Sequence, residues 1–504
     1  MMIESERVKF TEEGGDINNT VNSKGMKVLS VILGALLGGF IWRCRGESGF
    51  GSSWGLYSVG LVLILLIYHF YGERKGMKYE MIPLGAFMTG LGVTGYATVI
   101  HQTAGFVYSD LPYQGQVINA PVDPYSGLAI VLIMGFTLVP LYAFFVGSII
   151  SDKEYKYYHY ITVIALFFIL QTICKATIAH PLLKLINPEQ VEYARLGLID
   201  SGFDYASPMK AYMAHFLQRR WTQQIPFFEN YYMSIEHISD FIATIGVALY
   251  PLIALKDKVT GLVTLIINAF VSVATTAFTG LMTVVFDTGF LGNVQVPRSL
   301  KTSGWGLWEY ATGASVGFIT MLVLALLPKA LTAKGKADNE PFFKSKKASF
   351  AFNMLITVFI FSVVPWRAIG IRTGKLLIYE GLLKDGSPAG DIIMVVGAVI
   401  LGVFLIRLVY KNIFKKDTTP LGVNPVRFSR ITLPAYIGMC CFLYFFTNRA
   451  HILHLPFSKM TSISKFFYIM TGTDYIEVFL MIITAIVFTA IYIPVRKKLR
   501  PESQ

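Results

Sequence analysis

The residues of this sequence that could bind or transform a ligand stand at the ends of long apolar runs. Lys175 and His180 close the fifth run, and Asp240 opens the sixth, just after Glu236 and His237. Arg449 and His454 close the eleventh run and Glu477 opens the twelfth. Arg367 and Arg372 follow the ninth, Arg43 follows the first, and Glu309 lies in the first turn of the eighth. An imidazole beside a carboxylate can move a proton, and the planar fork of a guanidinium can hold a carboxylate or phosphate. Ionisable groups near membrane depth are costly, and those that are kept usually line a cavity filled by water or substrate. Glu236 and His237 aside, these ten residues, from Arg43 to Glu477, are therefore the expected substrate-binding positions, with no catalytic residue singled out among them.

Several chemistries lack their motifs. His451 and His454 are spaced to share a helix face, yet no HExxH pattern accompanies them, so no metal site is expected. Gly49-Phe50-Gly51 has no following Lys-Ser/Thr, and no GxSxG turn occurs, so no nucleotide, cofactor or serine-hydrolase site is expected. The four cysteines (Cys44, Cys174, Cys440 and Cys441) form no CxxC pair and read as packing residues.

The elements that must position these residues follow from composition. Of 504 residues, 54% are hydrophobic and only 15% charged; a soluble domain carries about 25% charged residues. Apolar runs near 20 residues recur along the chain, which predicts an all-α polytopic membrane protein with about twelve spanning helices. The third is expected near Ile82–Ile100, the fourth Gly127–Ile150, the sixth Ile238–Leu255 and the ninth Phe350–Trp366.

The net charge of +13 is not a nucleic-acid footprint, because its Lys and Arg residues occupy short loops. Arg74, Lys75 and Lys78 follow the second run, Lys153 and Lys156 the fourth, and Lys256 and Lys258 the sixth. Lys344, Lys346 and Lys347 precede the ninth, and Arg496, Lys497 and Lys498 follow the twelfth. The positive-inside rule then places both termini in the cytoplasm, in a membrane expected to be a bacterial plasma membrane.

Short strings recur along the chain. Ser52-Ser53-Trp54-Gly55-Leu56-Tyr57 resembles Ser303-Gly304-Trp305-Gly306-Leu307-Trp308. Lys175-Ala176-Thr177-Ile178-Ala179-His180-Pro181 resembles the stretch from Arg449 to Pro456. The expected organisation is a disordered tail over residues 1–26 and two parallel six-helix repeats, 27–258 and 259–500. The first repeat alone carries a long outer segment, 181–234, whose alternating pattern suits short interfacial or capping helices.

Two functions follow as expectations. Parallel repeats with clustered outer cations suit a transporter for a polar or anionic solute, its site in the outer half between repeats. Ionisable groups gathered on one side suit instead an outer-leaflet enzyme, an acyl-, glycosyl- or phospho-group transferase on a lipid-linked substrate. The expected partners are membrane lipids and that solute or lipid-linked substrate.

Overall fold

Helices long and apolar enough to cross a membrane number eleven in the computed structural model, counted over the described residues. Those residues are 23–47, 54–75, 77–92, 112–113, 116–117, 124–202, 207–215, 228–285, 298–327, 342–448, 462 and 475–498. The eleven coincide with eleven of the runs read from the sequence. For the third run the described part is a shorter apolar helix, Met81–Leu91, and residues 93–100 lie outside the described set. Most of the expected tail lies outside it as well. The reason for helices is the solvent: hydrocarbon offers no partner for a backbone N–H or C=O, so each segment must satisfy its own.

The chain divides into two compact units, each discontinuous in sequence. Unit one comprises residues 1–90, 148–154 and 313–504; unit two comprises 91–147 and 155–312. Unit one contains α1 (Lys24–Glu47), α2 (Gly55–Lys75) and α3 (Met81–Leu91). In unit two a two-residue hairpin, β1 (Pro112–Tyr113) with β2 (Gln116–Val117), precedes α4 (Pro124–Phe136) and α5 (Pro140–Ile150). Next come α6 (Tyr157–Thr177), α7 (Ala179–Ile186), α8 (Pro188–Asp200) and α9 (Pro208–His215). The helices α10 (Phe228–Leu249), α11 (Lys258–Val285) and α12 (Arg298–Leu326) follow. Unit one resumes within α12 and adds α13 (Lys346–Val358), α14 (Val364–Tyr379), α15 (Ala389–Tyr410), α16 (Pro425–Phe442) and α17 (Tyr475–Lys498).

Lipid tails are as apolar as leucine, so helix association rests on close approach and polar contacts rather than on water release. In unit one, Gly34 and Gly38 of α1 meet Gly313 and Gly317 of α12 so closely that a Cβ on Gly317 would overlap the Gly34 carbonyl oxygen. In unit two, a Cβ on Gly135 would lie 2.8 Å from the Ser272 Cα, and one on Gly147 would lie 2.8 Å from the Thr260 Cα. The α4–α5 segment thus runs antiparallel along α11 with its backbone nearly touching. Ser272 Oγ completes the seam by donating to the Leu132 carbonyl at 2.5 Å.

Two helices extend further than their apolar runs imply. The sequence ends the ninth run at Trp366, one residue past Pro365. Instead a π turn, Phe359–Val363, joins α13 to α14 as one 34-residue span, Lys346–Tyr379. Proline lacks an N–H and its ring crowds the carbonyl four residues back; a widened turn relieves both problems. The span is about 51 Å long against a hydrocarbon core of about 30 Å. Arg367 and Arg372 therefore lie within this helix rather than after it. Likewise α10 begins at Phe228 and its apolar span at Tyr231, because Tyr231, Tyr232 and Met233 continue the helix ahead of Ile238. That places Asp240 about nine residues, or about 13 Å, into the span, where the sequence had put it at the entrance.

Lys256 and Asp417 take left-handed backbone angles, φ 51° and 55°. Each ends a helix in a reversed turn: Asp257 N–H donates to the Pro251 carbonyl at 2.8 Å, and Thr418 N–H to the Asn412 carbonyl at 3.4 Å. Glycine is the residue that fits this position without strain. Lys256→Gly is expected to raise stability by about 1 kcal/mol, read as a higher melting temperature in detergent. Gly317→Val is expected to act oppositely, giving a marked loss of folded yield because the α1 backbone at Gly34 and Gly38 blocks the new side chain.

Candidate functional site

Two carboxylates on α10, Glu236 and Asp240, are one helical turn apart and so share a face. Opposite them on α6 stand Gln171 and Lys175, also one turn apart. The Lys175 ammonium meets Glu236 Oε2 at 2.5 Å, and the Gln171 amide donates to Asp240 Oδ1. Two polar rungs therefore tie α6 to α10. Asp240 is only 1% exposed, so its carboxylate depends on these partners rather than on water.

Three short helices cover the end of this ladder. Ile178 separates α6 from α7, and Asn187 separates α7 from α8, where its side-chain oxygen accepts the Gln190 N–H at 3.0 Å as an N-cap. From α9, the Tyr212 hydroxyl donates to Glu236 Oε1 at 2.5 Å. Burial and the neighbouring carboxylate push its pKa well up, so it stays a protonated donor. From α7, His180 Nδ1 lies 2.7 Å from the Tyr231 hydroxyl of α10. Tyr231 in turn donates to the Met209 sulfur of α9 at 3.8 Å. A phenol has one proton. If that proton points to sulfur, the tyrosine oxygen accepts from His180 Nδ1–H, and His180 Nε2 is left with a free lone pair. Burial, with the charge of Lys184 added, lowers the His180 pKa, so the ring is neutral at pH 7.

Unit one contains a second carboxylate cluster. Glu477, in the first turn of α17, accepts from Arg43 Nε at 2.6 Å and from the Tyr444 hydroxyl. Arg45 is buried near the Trp42 ring, its guanidinium carbon 5.7 Å from the ring centroid. Arg367 sits 4.9 Å over the Trp54 ring, and Arg372 is buried on α14. Five residues apart, the two arginines leave the helix about 140° apart. Glu309 is buried on α12 in unit two, next to Trp308, whose indole N–H donates to Thr279 at 3.0 Å.

Of the residues expected from sequence, the structure thus gathers Lys175, His180 and Asp240 in unit two, and Arg43 with Glu477 in unit one. Arg449 and His454 lie outside the described residues. Sequence reasoning did not single out Tyr212, Tyr231 or Tyr444, and it passed over Glu236 as a site residue. The matching four-residue steps of Gln171–Lys175 and Glu236–Asp240 were the available signal. Among the described residues, no group of His, Cys, Asp and Glu is arranged to hold a metal ion.

Fold and charge placement together make this a multi-pass membrane protein. A methanethiol S-methyltransferase from Crocosphaera subtropica is similar to the chain, with 27% identity over 199 residues; these cover 37% of this chain and 75% of the relative. No protein-family model matches the chain, and no solved structure does.

Two outcomes are expected from this geometry. Removing one member of the Lys175–Glu236 pair strands the other; Lys175→Met or Glu236→Gln alone is expected to cost about 3 kcal/mol, and the double variant less than their sum. A double-mutant cycle by thermal melts checks this. Because the folded His180 pKa is lowered, the unfolded chain takes up the proton first as pH falls below about 6.5. The stability present above that pH is then lost on acidification toward the folded pKa. His180→Gln is expected to show a shallower decline than wild type in melts between pH 7 and 5.

Proposed function

We propose that the protein is a membrane-embedded enzyme that transfers a methyl or similarly small group to a nucleophile held at the α6–α10 cluster. In this reading both termini are cytoplasmic, the cluster faces the outside of a plasma membrane, and α7–α9 form its cover. The observation that carries it is His180, whose Nδ1 lies 2.7 Å from the Tyr231 hydroxyl of α10, under the same short helices that bring Tyr212 to the Lys175–Glu236 pair. A base held by a second hydrogen bond is what deprotonating a thiol or hydroxyl nucleophile requires. His180 Nε2 takes the proton, Tyr231 holds the tautomer, and the resulting thiolate or alkoxide attacks the methyl carbon of a sulfonium donor, whose C–S bond breaks to release a neutral thioether. The name of the Crocosphaera relative supports the methyl class and a thiol acceptor. The recurrence of one plan, a carboxylate held by a cation and a tyrosine at Glu236 and at Glu477, supports the reading of two related halves.

The test uses the full chain in nanodiscs with isotopically labelled S-adenosylmethionine and a series of thiols, starting with methanethiol. Label transfer by wild type is expected, with a loss of about 100-fold or more in His180→Ala and a shifted pH–rate profile in Tyr231→Phe. No transfer by wild type to any thiol or hydroxyl acceptor would remove the reading.

A second reading, transport of a polar or anionic solute, is favoured by the buried guanidinium groups of Arg43, Arg45 and Arg372 in unit one. Sealed proteoliposomes containing wild type would then accumulate an organic anion, and Arg372→Gln would abolish the uptake.

A further inference from the structure

The helix α8 buries a glutamine for which the ladder has no use. Gln190 is 2% exposed, and both its amide nitrogen and its amide oxygen are without hydrogen-bond partners among the described residues. Ala194, Gly197 and Leu198 are the other buried residues of α8, so Gln190 belongs to the face that packs on α10. Beside it in the chain, Asn187 is 3% exposed; its oxygen caps α8, but its amide nitrogen has no partner among the described residues. On α10, Ser234 is fully buried and its hydroxyl is likewise unpartnered. Ser234 lies three residues after Tyr231, which touches α7 and α9, so it shares the covered face of α10.

Leaving so many buried donors and acceptors unmet costs about 1–3 kcal/mol per group. A packed helix pair would carry leucine or alanine at these positions. The three side chains offer donors at Asn187 and Gln190, an acceptor at Gln190, and a hydroxyl at Ser234 that can do either. None of them is charged, so the set suits a neutral ligand with closely spaced donors and acceptors rather than a phosphate or carboxylate. Adjacent hydroxyl groups meet that description: one can donate to the amide oxygen while its neighbour accepts from the amide nitrogen.

We infer that Asn187, Gln190 and Ser234, under α8, bind the vicinal hydroxyls of a sugar or glycerol group. The inference rests on the reading of the α6–α10 cluster as a substrate site, and it adds the substrate class without depending on which group is transferred. The hydroxyls can belong to a free polyol or to a lipid head group, and the two sources separate experimentally.

The experiment measures the melting temperature of the full chain in nanodiscs of phosphatidylcholine. One arm adds free methyl α-glucoside; the other incorporates monoglucosyl diacylglycerol. A rise in either arm for wild type is expected, and the arm that responds identifies the source. Gln190→Leu is expected to melt no lower than wild type without ligand, because an apolar side chain leaves no group unmet, while its ligand-dependent rise disappears. Ser234→Ala is expected to weaken binding by about tenfold, equivalent to about 1.4 kcal/mol. A wild-type protein that responds to neither arm overturns the inference, as does a Gln190→Leu variant that responds fully. Binding without methyl transfer would remove the group-transfer reading and leave this site standing; transfer without binding would do the reverse.

Discussion

A carboxylate removed from water must find its compensation in the protein, and that requirement organises unit two. Glu236 and Asp240 lie on one face of α10, inside its apolar span. A lone ion in such surroundings costs several kcal/mol even after relaxation. The compensation has to come from a neighbouring helix at the same depth, and α6 supplies it with an amide and an ammonium spaced by the same four residues. Each turn along α6 meets a turn run backwards along α10. A slip of one residue would swing both carboxylates by about 100° away from their partners. The rungs therefore set the register as well as the pairing of these two helices, a task that van der Waals contact between apolar faces does poorly.

The cover depends on the same groups. Nothing in the hydropathy of α9 requires it to return to the bundle, but its Tyr212 reaches Glu236 and its Met209 reaches Tyr231. The ladder therefore extends beyond the two helices that form it. Its last members are the aromatic hydroxyls of a segment that the apolar spans leave out. This is why His180, on the first short helix, is held against α10 rather than left at the surface, and why its ring remains uncharged. Packing, charge compensation and protonation state are here one arrangement seen at successive levels.

The spans were legible in the sequence because each is a collective property of about twenty residues. The positions of single charges were less so. Asp240 looked like an entrance residue because Ile238 opens the most apolar window; the aromatic residues from Phe228 to Met233 extend the helix yet dilute its hydropathy. The ninth run ends at Trp366 in the sequence because Arg367, Arg372 and Lys375 dilute the hydropathy beyond it, and a π turn five residues long is invisible to a period of 3.6. The tyrosines were missed for a different reason. Tyr212, Tyr231 and Tyr444 count as apolar in any composition, and only a buried carboxylate or imidazole within reach of the hydroxyl distinguishes them from packing residues.

The two carboxylate clusters share a plan but differ in their cation, and that difference bears on the proposed chemistry. Glu477 is met by a guanidinium, which keeps its proton in any protein environment. An ion pair of that kind is fixed in charge and serves to hold α17 against α1. Glu236 is met instead by an ammonium, a compact point charge on a flexible stem. Beside it stands the Tyr212 phenol, and the same short helices hold against α10 the His180 imidazole, a group able to exchange a proton near neutral pH. A site that must deprotonate a nucleophile and then reset needs groups of this second kind. That contrast, rather than the number of charges in either place, is the reason for assigning the proposed transfer to the cluster built on Lys175 and His180.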